Sequence, residues 1–360
     1  MDSNDHPHIS YRDYSNGDLK YAYYNGSWSI ETVDSAGNVG GWTSLALDSA
    51  DHPHISHCSF SNGDLKYAHY NGSWSIETIG GAGNVRRHPS LALDSNDNPH
   101  ISYDDITNGT LKYAYYNGSW SIETVDSAVG WSFLALDSAD HPHISYCNFS
   151  NGMLMYARYN GSWKIETVDS AAPTGQFASL ALDSGDNPHI SYCDIGNLDL
   201  KYAYYNGSWT IETVDSAGNV GSDTSLVLDS SDNPHISYYD IGNLDLKYAY
   251  YNGSWTIETV DSAGIVGYFT SIALDSGDNP HISYRDYSNL DLKYASKACM
   301  LPWDVTGDDC VDVDDIAGVA EHFGSFPGSP TWDPKCDVTG EDYVGIDDIV
   351  EVAEHLGSSC

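Results

Sequence analysis

Basic residues are scarce in this chain. Only 14 of 360 residues are Lys or Arg, against 52 Asp or Glu, and the formal net charge is −38. Nucleic acids and anionic membranes bind clustered positive charge, so neither is expected as a partner. The acidity has three interpretations: cation binding, a high-salt habitat and solubility. Most of the Asp lies in turn patterns, so we rank turn structure first and calcium second.

Long apolar runs and helix-forming stretches are also lacking. No run reaches the length of about 18 apolar residues that a membrane-spanning helix needs. Glu and Lys are sparse over the first 295 residues, whereas the chain has 28 Tyr and 33 Gly, which favour strands and tight turns. None of the seven Cys has Cys-x-x-Cys spacing, so no zinc site is predicted. Cys58, Cys147 and Cys193 share a position that varies between repeats, and we interpret them as tolerated substitutions.

The chain does contain one sequence motif that is repeated seven times. The sequence Pro-His-Ile-Ser recurs at a spacing of 46 residues, with a single step of 43. It begins at Pro7, Pro53, Pro99, Pro142, Pro188, Pro234 and Pro280. A fixed period of this size indicates one supersecondary unit copied many times. Side chains present in every copy are therefore interpreted as structural before any functional role is considered.

Each repeat predicts four short strands. In the second copy these are 44–47, 53–58, 65–70 and 74–79, separated by turn signals, and Asn71-Gly72 is expected to form a two-residue hairpin turn. Four antiparallel strands per repeat are typical of a β-propeller blade. A solenoid is the alternative, but it would need polar capping repeats, and the terminal copies resemble the others. The predicted fold is mostly β: a seven-bladed propeller of four-stranded antiparallel blades.

Ring closure is the open point of this prediction. Met1 aligns with Leu47, and the last copy stops at Ala295, so 26 of the 28 expected strands are recognisable. Residues upstream of Met1, the segment 296–302 or a strand from a neighbouring molecule would complete the ring. Because the chain opens within a repeat, we expect an export signal and a further strand upstream.

The last part of the chain has a different pattern. Two acidic loops, each followed by an amphipathic stretch, span 303–324 and 336–357. This duplication resembles the dockerin family, a paired module of EF-hand-type calcium loops and helices that binds cohesin domains. The expected domains are therefore a propeller over 1–298 and a small α-helical, dockerin-like module over 299–360.

The resemblance implies calcium as the cofactor, since alternate loop positions supply the oxygen ligands that this ion prefers. Both loops depart from the family pattern, with Thr306 and Thr339 at the third position and Asp309 and Asp342 at the sixth. Carried over by position, the ligands are Asp304, Thr306, Asp308, Cys310, Asp312 and Asp315 in loop one, and Asp337, Thr339, Glu341, Tyr343 and Asp348 in loop two. A helical pair without metal is the alternative.

Two covalent modifications are suggested by the sequence. Cys299, Cys310, Cys336 and Cys360 are candidates for disulfides of open connectivity, for example 299 with 360 and 310 with 336, in an extracellular setting. N-glycosylation acceptor patterns occur at Asn25, Asn71, Asn108, Asn117, Asn148, Asn160, Asn206 and Asn252. Most of these Asn also belong to the hairpin turns, which explain the repeats without any attached sugar.

Two repeated side chains could carry a site. One His per copy could bind metal, but its recurrence favours a satisfied hydrogen-bonding partner at the blade edge. One Trp per copy could stack on sugars, but packing beneath the turn is favoured. Arg12-Asp13-Tyr14 and Arg285-Asp286-Tyr287 would be neighbours in a closed ring, which places one small asymmetric site there.

Function is predicted from these patterns as structural and adhesive. The repeat is similar to those of sialidase-like propellers, but that family's arginine cluster and its Ser-x-Asp-x-Gly-x-Thr-Trp box are not matched, so we expect no enzyme. The preferred hypothesis is a secreted cell-surface protein that assembles head-to-tail through its calcium module, into a filament or lattice. The alternative is a carbohydrate-binding or sialidase-like hydrolytic component docked to a cohesin scaffold.

Overall fold

The computed structural model describes residues 1–80, 88–128, 130–171 and 173–296, together with Val319, Pro327, Cys336, Ile349 and Val350. The chain divides into two compact units, Met1–Ala295 and Ser296–Cys360. In the second unit Val319, Ile349 and Val350 are helical, and Val319 is fully buried. The predicted calcium ligands lie outside the described residues. Within the described part of the chain, no helix is long and apolar enough to span a membrane.

The first unit is a series of seven antiparallel sheets, numbered here as blades 1 to 7. In every blade the strands pair in chain order, and blades 2 to 6 have four strands whereas blades 1 and 7 have three. The strands are, in blade 1, β1 His8–Asp13, β2 Asp18–Tyr24 and β3 Trp28–Asp34; in blade 2, β4 Gly41–Leu47, β5 Pro53–Cys58, β6 Leu65–Tyr70 and β7 Trp74–Gly80; in blade 3, β8 Ser90–Leu93, β9 Pro99–Asp105, β10 Thr110–Tyr116 and β11 Trp120–Asp126; in blade 4, β12 Phe133–Leu136, β13 Pro142–Asn148, β14 Met153–Tyr159 and β15 Trp163–Asp169; in blade 5, β16 Gln176–Leu182, β17 Pro188–Asp194, β18 Asp199–Tyr205 and β19 Trp209–Asp215; in blade 6, β20 Ser222–Leu228, β21 Pro234–Asp240, β22 Asp245–Tyr251 and β23 Trp255–Asp261; in blade 7, β24 Val266–Leu274, β25 Pro280–Asp286 and β26 Asp291–Ser296.

The hydrophobic core lies between consecutive blades. At the seam of blades 5 and 6, Leu200 and Val214 of one blade pack against Leu226 and Ile236 of the next. Both faces of each blade are therefore apolar or aromatic. Burial of such side chains contributes roughly 1.5–3 kcal/mol each, so the seams hold the propeller together.

A ring of hydrogen bonds closes the propeller. In each seam a Ser donates from its backbone N and its Oγ to an Asp one repeat further on, as Ser49 does to Asp97 at 3.0 and 2.6 Å. The same pair joins blade 7 to blade 1, where Ser276 donates to Asp5 at 2.9 and 2.5 Å. Contacts between the last and first repeats exclude the open solenoid, and the seven-bladed propeller is confirmed.

The hairpin prediction needs one correction. Tyr24 pairs with Trp28, so the loop has three residues, Asn-Gly-Ser, rather than two. Only the glycine has positive φ, 92° at Gly26, because a three-residue loop needs a single left-handed position. The strand bounds of the second copy were otherwise predicted closely, although β4 begins three residues earlier, at Gly41.

Candidate functional site

The repeated histidines are scaffold groups. His143 Nδ1 lies 2.5 Å from the Tyr156 hydroxyl, while its Nε2 lies 3.5 Å from Asp137 Oδ2. A neutral ring with its proton on Nε2 satisfies both contacts, because Nδ1 then accepts from the tyrosine. Burial lowers the pKa of His143 and so favours this neutral form. The prediction of a satisfied hydrogen-bonding partner at the blade edge is thus supported, and the arrangement recurs in the other blades.

The repeated tryptophans join neighbouring blades. Trp74 packs edge-on against Tyr21 of the preceding blade, with ring centres 5.4 Å apart, and its Nε1 donates to Glu31 Oε2 at 2.9 Å. Trp120 and Trp255 form the same hydrogen bond with Glu77 and Glu212. These contacts leave the indoles in packing roles, as the sequence favoured.

One repeat position departs from this regularity. The residue at the start of each inner strand, or just before it, varies between copies and has positive φ: Trp42, His88, Trp131, Phe177, Asp223 and Phe269, with φ of 48°, 53°, 25°, 54°, 49° and 51°. Bulky side chains rarely adopt this backbone region, which costs of order 1–3 kcal/mol per residue and clusters at functional sites. Because the inner strands run alike around the axis, these residues share one end of the propeller. This end is the candidate site.

An aromatic belt follows that end of the ring. We define it as Phe177, Trp131, His88, Trp42, Phe60, Arg12, Tyr14, Arg285, Tyr287, Tyr268 and Tyr239. Its first arm runs through Phe177, Trp131 and His88 to Trp42 and Phe60, with successive ring centres 4.4, 5.5, 5.1 and 5.0 Å apart. Its other arm runs from Tyr287 through Tyr268 to Tyr239, at 5.6 and 4.3 Å. The belt therefore draws a residue from every blade.

Two arginines join the arms across the closure of the ring. The guanidinium carbon of Arg12 lies 4.6 Å from the Phe60 ring centre and 4.5 Å from that of Tyr14. Arg285 lies 4.4 Å from Tyr14 and 4.9 Å from Tyr287. Each guanidinium is thus in cation–π contact with two aromatic rings. The predicted proximity of the two Arg-Asp-Tyr triplets is borne out by these contacts.

These two arginines keep hydrogen-bonding capacity. Arg12 donates from Nη2 to Asn38 Oδ1 at 2.6 Å, but its buried Nε has no partner among the described residues. In the same part of the chain, neither Arg12 nor Arg285 lies within 4.0 Å of a carboxylate, whereas Lys66 and Lys247 do. Tyr14 and Tyr287 are about half exposed, at 56% and 51%. The belt therefore presents aromatic surface and unpaired positive charge on an acidic protein.

The belt is interrupted between blades 5 and 6. Asp223 stands there, at the position where the other copies have aromatic rings or His88. Burial raises the pKa of Asp223 to about 6, although a backbone hydrogen bond from Phe269 acts in the opposite direction. This carboxyl group can exchange a proton near neutral pH, in contrast to Asp13 and Asp286, whose pKa values are lowered by hydrogen bonds within their own turns.

A second candidate lies between blades 4 and 5. Arg158 replaces the Tyr, His or Ser of other copies, and a cavity of about 60 Å³ opens beside it, lined also by Glu166 and Tyr205. Arg158 Nη2 lies 3.7 Å from Glu166 Oε1. This carboxylate contact distinguishes Arg158 from the two arginines of the belt, although its buried Nε, like that of Arg12, has no hydrogen-bond partner among the described residues.

The remaining predicted site residues are placed as follows. The asparagines of the glycosylation patterns are exposed at the hairpin loops and at Asn108, and Asn148 is half-buried. Asn108 Nδ2 donates to Asp105 at 2.7 Å. Glycosylation stays a prediction. Cys58, Cys147 and Cys193 are free and buried. Of the disulfide candidates, Cys336 is buried and the other three lie outside the described residues.

Comparison with solved structures finds the same fold at low sequence identity. A triple arginine-to-alanine mutant of AofleA from Arthrobotrys oligospora superposes with a TM-score of 0.52, at 13% identity, over 72% of this chain and 89% of that one. The lectin of Aleuria aurantia, in complex with Fucα1-6GlcNAc, gives 0.52 at 15% identity, over 72% and 92%. Virginiamycin B lyase from Staphylococcus aureus, with quinupristin, gives 0.52 at 11% identity, over 78% and 96%.

These likenesses, all at 15% identity or less, show the propeller fold alone. No protein-family model matches this sequence. No curated protein matches it either. Function must therefore be argued from the site itself.

The sequence pointed to part of the belt only. Arg12, Tyr14, Arg285 and Tyr287 were singled out as neighbours, but the aromatic residues at the start of the inner strands were not. The available signal was variation: the residue before Thr-Ser-Leu or Thr-Ser-Ile is Trp42, Asp223 or Phe269, while the strand that follows hardly changes.

Proposed function

We propose that the propeller is a non-catalytic carbohydrate-binding protein whose ligand is an acidic glycan held on the aromatic belt. The observation that carries this proposal is the pair Arg12 and Arg285, which lie over Tyr14 without a carboxylate partner among the described residues. Lys112 is also without a carboxylate partner among the described residues, but its Nζ donates to Thr124 Oγ1 at 2.6 Å, whereas Arg12 and Arg285 lie against aromatic rings. Recognition of an anion is a direct use for them.

The chemistry of both groups fits a sugar acid. The apolar faces of pyranose rings pack on aromatic side chains, and a guanidinium donates two parallel hydrogen bonds to a carboxylate. The belt is preformed by contacts between its own members, which lowers the entropy lost on binding. The presence of lectins among the propellers of similar fold supports a carbohydrate ligand. Because the overall field of the protein repels anions, binding depends on these local contacts.

Calorimetry on matched sugar pairs tests the proposal. Sialyllactose is compared with lactose, and trigalacturonate with its methyl ester; the acidic member of at least one pair should bind at least tenfold more tightly. Arg12→Ala and Arg285→Ala should each weaken binding about tenfold or more, since hydrogen bonds to charged groups contribute about 1.5–3 kcal/mol. Arg158→Ala is the control and should change nothing.

Three results would overturn it: equal affinity for acid and neutral sugars, no effect of either belt variant, or loss of binding in Arg158→Ala alone, which would move the site to the cavity between blades 4 and 5. Turnover of the bound sugar would overturn the non-catalytic assignment. Asp223→Asn then identifies the group responsible, because Asp223 is the belt-side carboxyl with a raised pKa.

We further propose that residues 299–360 form a calcium-dependent docking module of an extracellular protein. The duplicated acidic loops and amphipathic stretches favour it. Calcium titration of the full chain, before and after chelation, should show saturable binding that Asp304→Asn and Asp337→Asn weaken. Electron microscopy with and without chelator separates head-to-tail assembly from docking to a cohesin-type partner. Absence of calcium binding refutes both.

A further inference from the structure

The aromatic belt contains the same arrangement of side chains twice. In the first subsite, the guanidinium carbon of Arg12 lies 4.5 Å from the ring centre of Tyr14 and 4.6 Å from that of Phe60. In the second subsite, the guanidinium carbon of Arg285 lies 4.4 Å from the ring centre of Tyr14 and 4.9 Å from that of Tyr287. Each subsite thus combines one arginine with an aromatic ring of its own blade and one of a neighbouring blade. Tyr14 belongs to both.

This duplication follows from the repeat and from ring closure. Arg12 and Arg285 are the last residues but one of equivalent strands, β1 in blade 1 and β25 in blade 7. Closure places blade 7 beside blade 1, so the two subsites are related by one blade step. The other five blades have no arginine at this position; their residues are Cys58, Asp104, Cys147, Cys193 and Tyr239. Among the described residues the subsite therefore occurs twice, in adjacent blades.

The aspartate that follows each arginine does not neutralise it. Asp13 accepts at 2.9 Å from both the backbone N of Ser15 and Nδ2 of Asn16. Asp286 makes the same two contacts, at the same distances, within its own turn. Both carboxylates are thus held in their turns, and neither lies within 4.0 Å of a belt arginine.

The two guanidinium groups are close enough to repel each other. Both guanidinium carbons lie within 4.5 Å of the ring centre of Tyr14, so they are less than about 9 Å apart. A ligand with one negative charge compensates only one of the two positive charges. A ligand with two negative charges, spaced to reach both arginines, compensates both.

The surface around the two arginines is long rather than compact. Tyr14 and Tyr287 are about half exposed, and the belt continues beyond each subsite. The ring centre of Phe60 lies 5.0 Å from that of Trp42, and the ring centre of Tyr287 lies 5.6 Å from that of Tyr268. The apolar faces of successive sugar rings can pack along such a series of aromatic side chains. The belt therefore suits a chain of sugars better than a single sugar.

We propose that the ligand of the belt is an acidic oligosaccharide with acid groups on at least two of its sugars, one acid group for each subsite. This inference rests on the proposed function and adds the charge and the length of the ligand. Asn38 accepts from Arg12 Nη2 at 2.6 Å, so the first subsite is positioned before the ligand arrives. Once one acid group is bound there, the chain holds the next acid group close to Arg285 and raises its effective concentration.

Calorimetry with chains of increasing length tests the proposal on the full-length protein. Two series of one to four units are used, the oligogalacturonates and the oligosialic acids. In at least one series the affinity should rise at least tenfold at the length that first reaches both arginines, and then level off, with one chain bound per protein. The methyl esters of the same chains have the same rings without the charges, and should show no such rise.

Matched variants assign the rise to the two subsites. Arg12→Ala and Arg285→Ala should each remove it, so that the trimer binds no more tightly than the single acid. Tyr14→Leu should weaken the trimer more than Tyr287→Leu, because Tyr14 belongs to both subsites and Tyr287 to one. Both tyrosines are about half exposed, and unchanged melting temperatures verify that these variants fold. Arg158→Ala lies outside the belt and should keep the rise.

Four results would overturn this inference and leave the proposed function in place. They are a single sugar acid that binds as tightly as the trimer, a rise that persists in both arginine variants, an equal rise in the methyl esters, and equally tight binding of galactose 6-phosphate, which has both charges on one group. If no acid of either series binds more tightly than its methyl ester, the proposed function itself fails.

Discussion

Ser276 donates two hydrogen bonds to Asp5, from its backbone N at 2.9 Å and from its Oγ at 2.5 Å, across a separation of 271 residues. The same bond joins every other seam, where an apolar cluster assists it. Between blades 7 and 1, the Ser276–Asp5 bond acts together with the Trp28–Tyr294 and Arg285–Tyr14 contacts. Asp5 therefore matters more than its equivalents.

Asp5→Gly should loosen the ring. Glycine accepts the φ of 63° at this position, so the change removes the carboxylate without backbone strain. We expect unfolding in urea to cost about 1 kcal/mol less, together with faster amide exchange in β1 and β26. Asp97→Gly, which removes the same bond between blades 2 and 3, is the control. It should leave exchange in β1 and β26 unchanged, and a result in which both variants affect those strands equally would contradict a special role for Asp5.

His57→Tyr should stabilise the protein, most of all in acid. His57 is fully buried, its Nε2 is without a hydrogen-bond partner among the described residues, and burial lowers its pKa to about 4. In a later repeat the equivalent residue, Tyr192, donates to Asp169 at 2.8 Å. Asp34 is the equivalent of Asp169 and can accept the same hydrogen bond from a tyrosine at position 57. Because the folded pKa lies below the unfolded value, His57 costs stability as pH falls from about 6.5 toward 4.

The expected gain in the free energy of unfolding of His57→Tyr follows from this pH dependence. It should be about 2 kcal/mol larger at pH 5 than at pH 7.5, measured by urea denaturation at the two pH values. His52→Tyr, at a half-buried histidine of the same repeat whose Nδ1 lies 3.0 Å from Asp48 Oδ2, is the control and should show no larger gain in acid, because it removes a contact that favours the protonated ring. A pH-independent gain would show that His57 does not resist protonation.

Asp223→Asn should change stability with the opposite pH dependence. The folded pKa of Asp223, about 6, lies above its ordinary value of 3.8. The folded state therefore binds the proton more tightly, and its stability falls as pH rises from about 4 through 6. The amide removes this cost, so the variant should be more stable at pH 7.5 by about 1 kcal/mol, allowing for solvent screening, and no more stable at pH 3.5. Thermal unfolding at both pH values decides it, with Asp291→Asn, at an exposed aspartate, as control.

Phe269 should lower the stability of the folded protein while it contributes to ligand binding. It is 53% exposed and has φ of 51°, so its aromatic ring gains little from burial while its backbone is strained. Phe269→Gly should be about 0.5–1 kcal/mol more stable than Phe269→Ala, because alanine keeps the strain and glycine does not. The ring centre of Phe269 lies 6.3 Å from that of Tyr268, a member of the belt, so both variants should weaken an acidic glycan that binds there. Equal stability of the two would show that the backbone there is unstrained.

The fold was predictable because its information is local and repeated. Alternation in the segment 65–70, the glycine of each hairpin loop and the fixed period of Pro53 and its equivalents specify a blade without reference to any distant contact. The hairpin loop was predicted one residue too short: Tyr24 pairs with Trp28, and Asn-Gly fits a three-residue loop with one left-handed glycine as well as a two-residue turn.

The candidate site was predictable only where its residues are close together in the sequence. Arg12 with Tyr14, and Arg285 with Tyr287, attract attention as charged and aromatic residues in otherwise uniform repeats. Trp131 and Phe177 do not, because an aromatic residue before a strand is normally core. Both are half-buried and have a left-handed backbone, which no propensity for Trp or Phe suggests.

The sequence by itself determined the unit: a four-stranded blade, its turns, its copy number and the His, Tyr and Trp that join one blade to the next. Only the tertiary structure decided that the last repeat meets the first, and that Arg285 reaches Tyr14. The physical reason is range. Backbone preferences and alternating burial act over a few residues. Ring closure depends instead on the rotation between every pair of neighbouring blades, and only their total brings two side chains that are distant in sequence into contact.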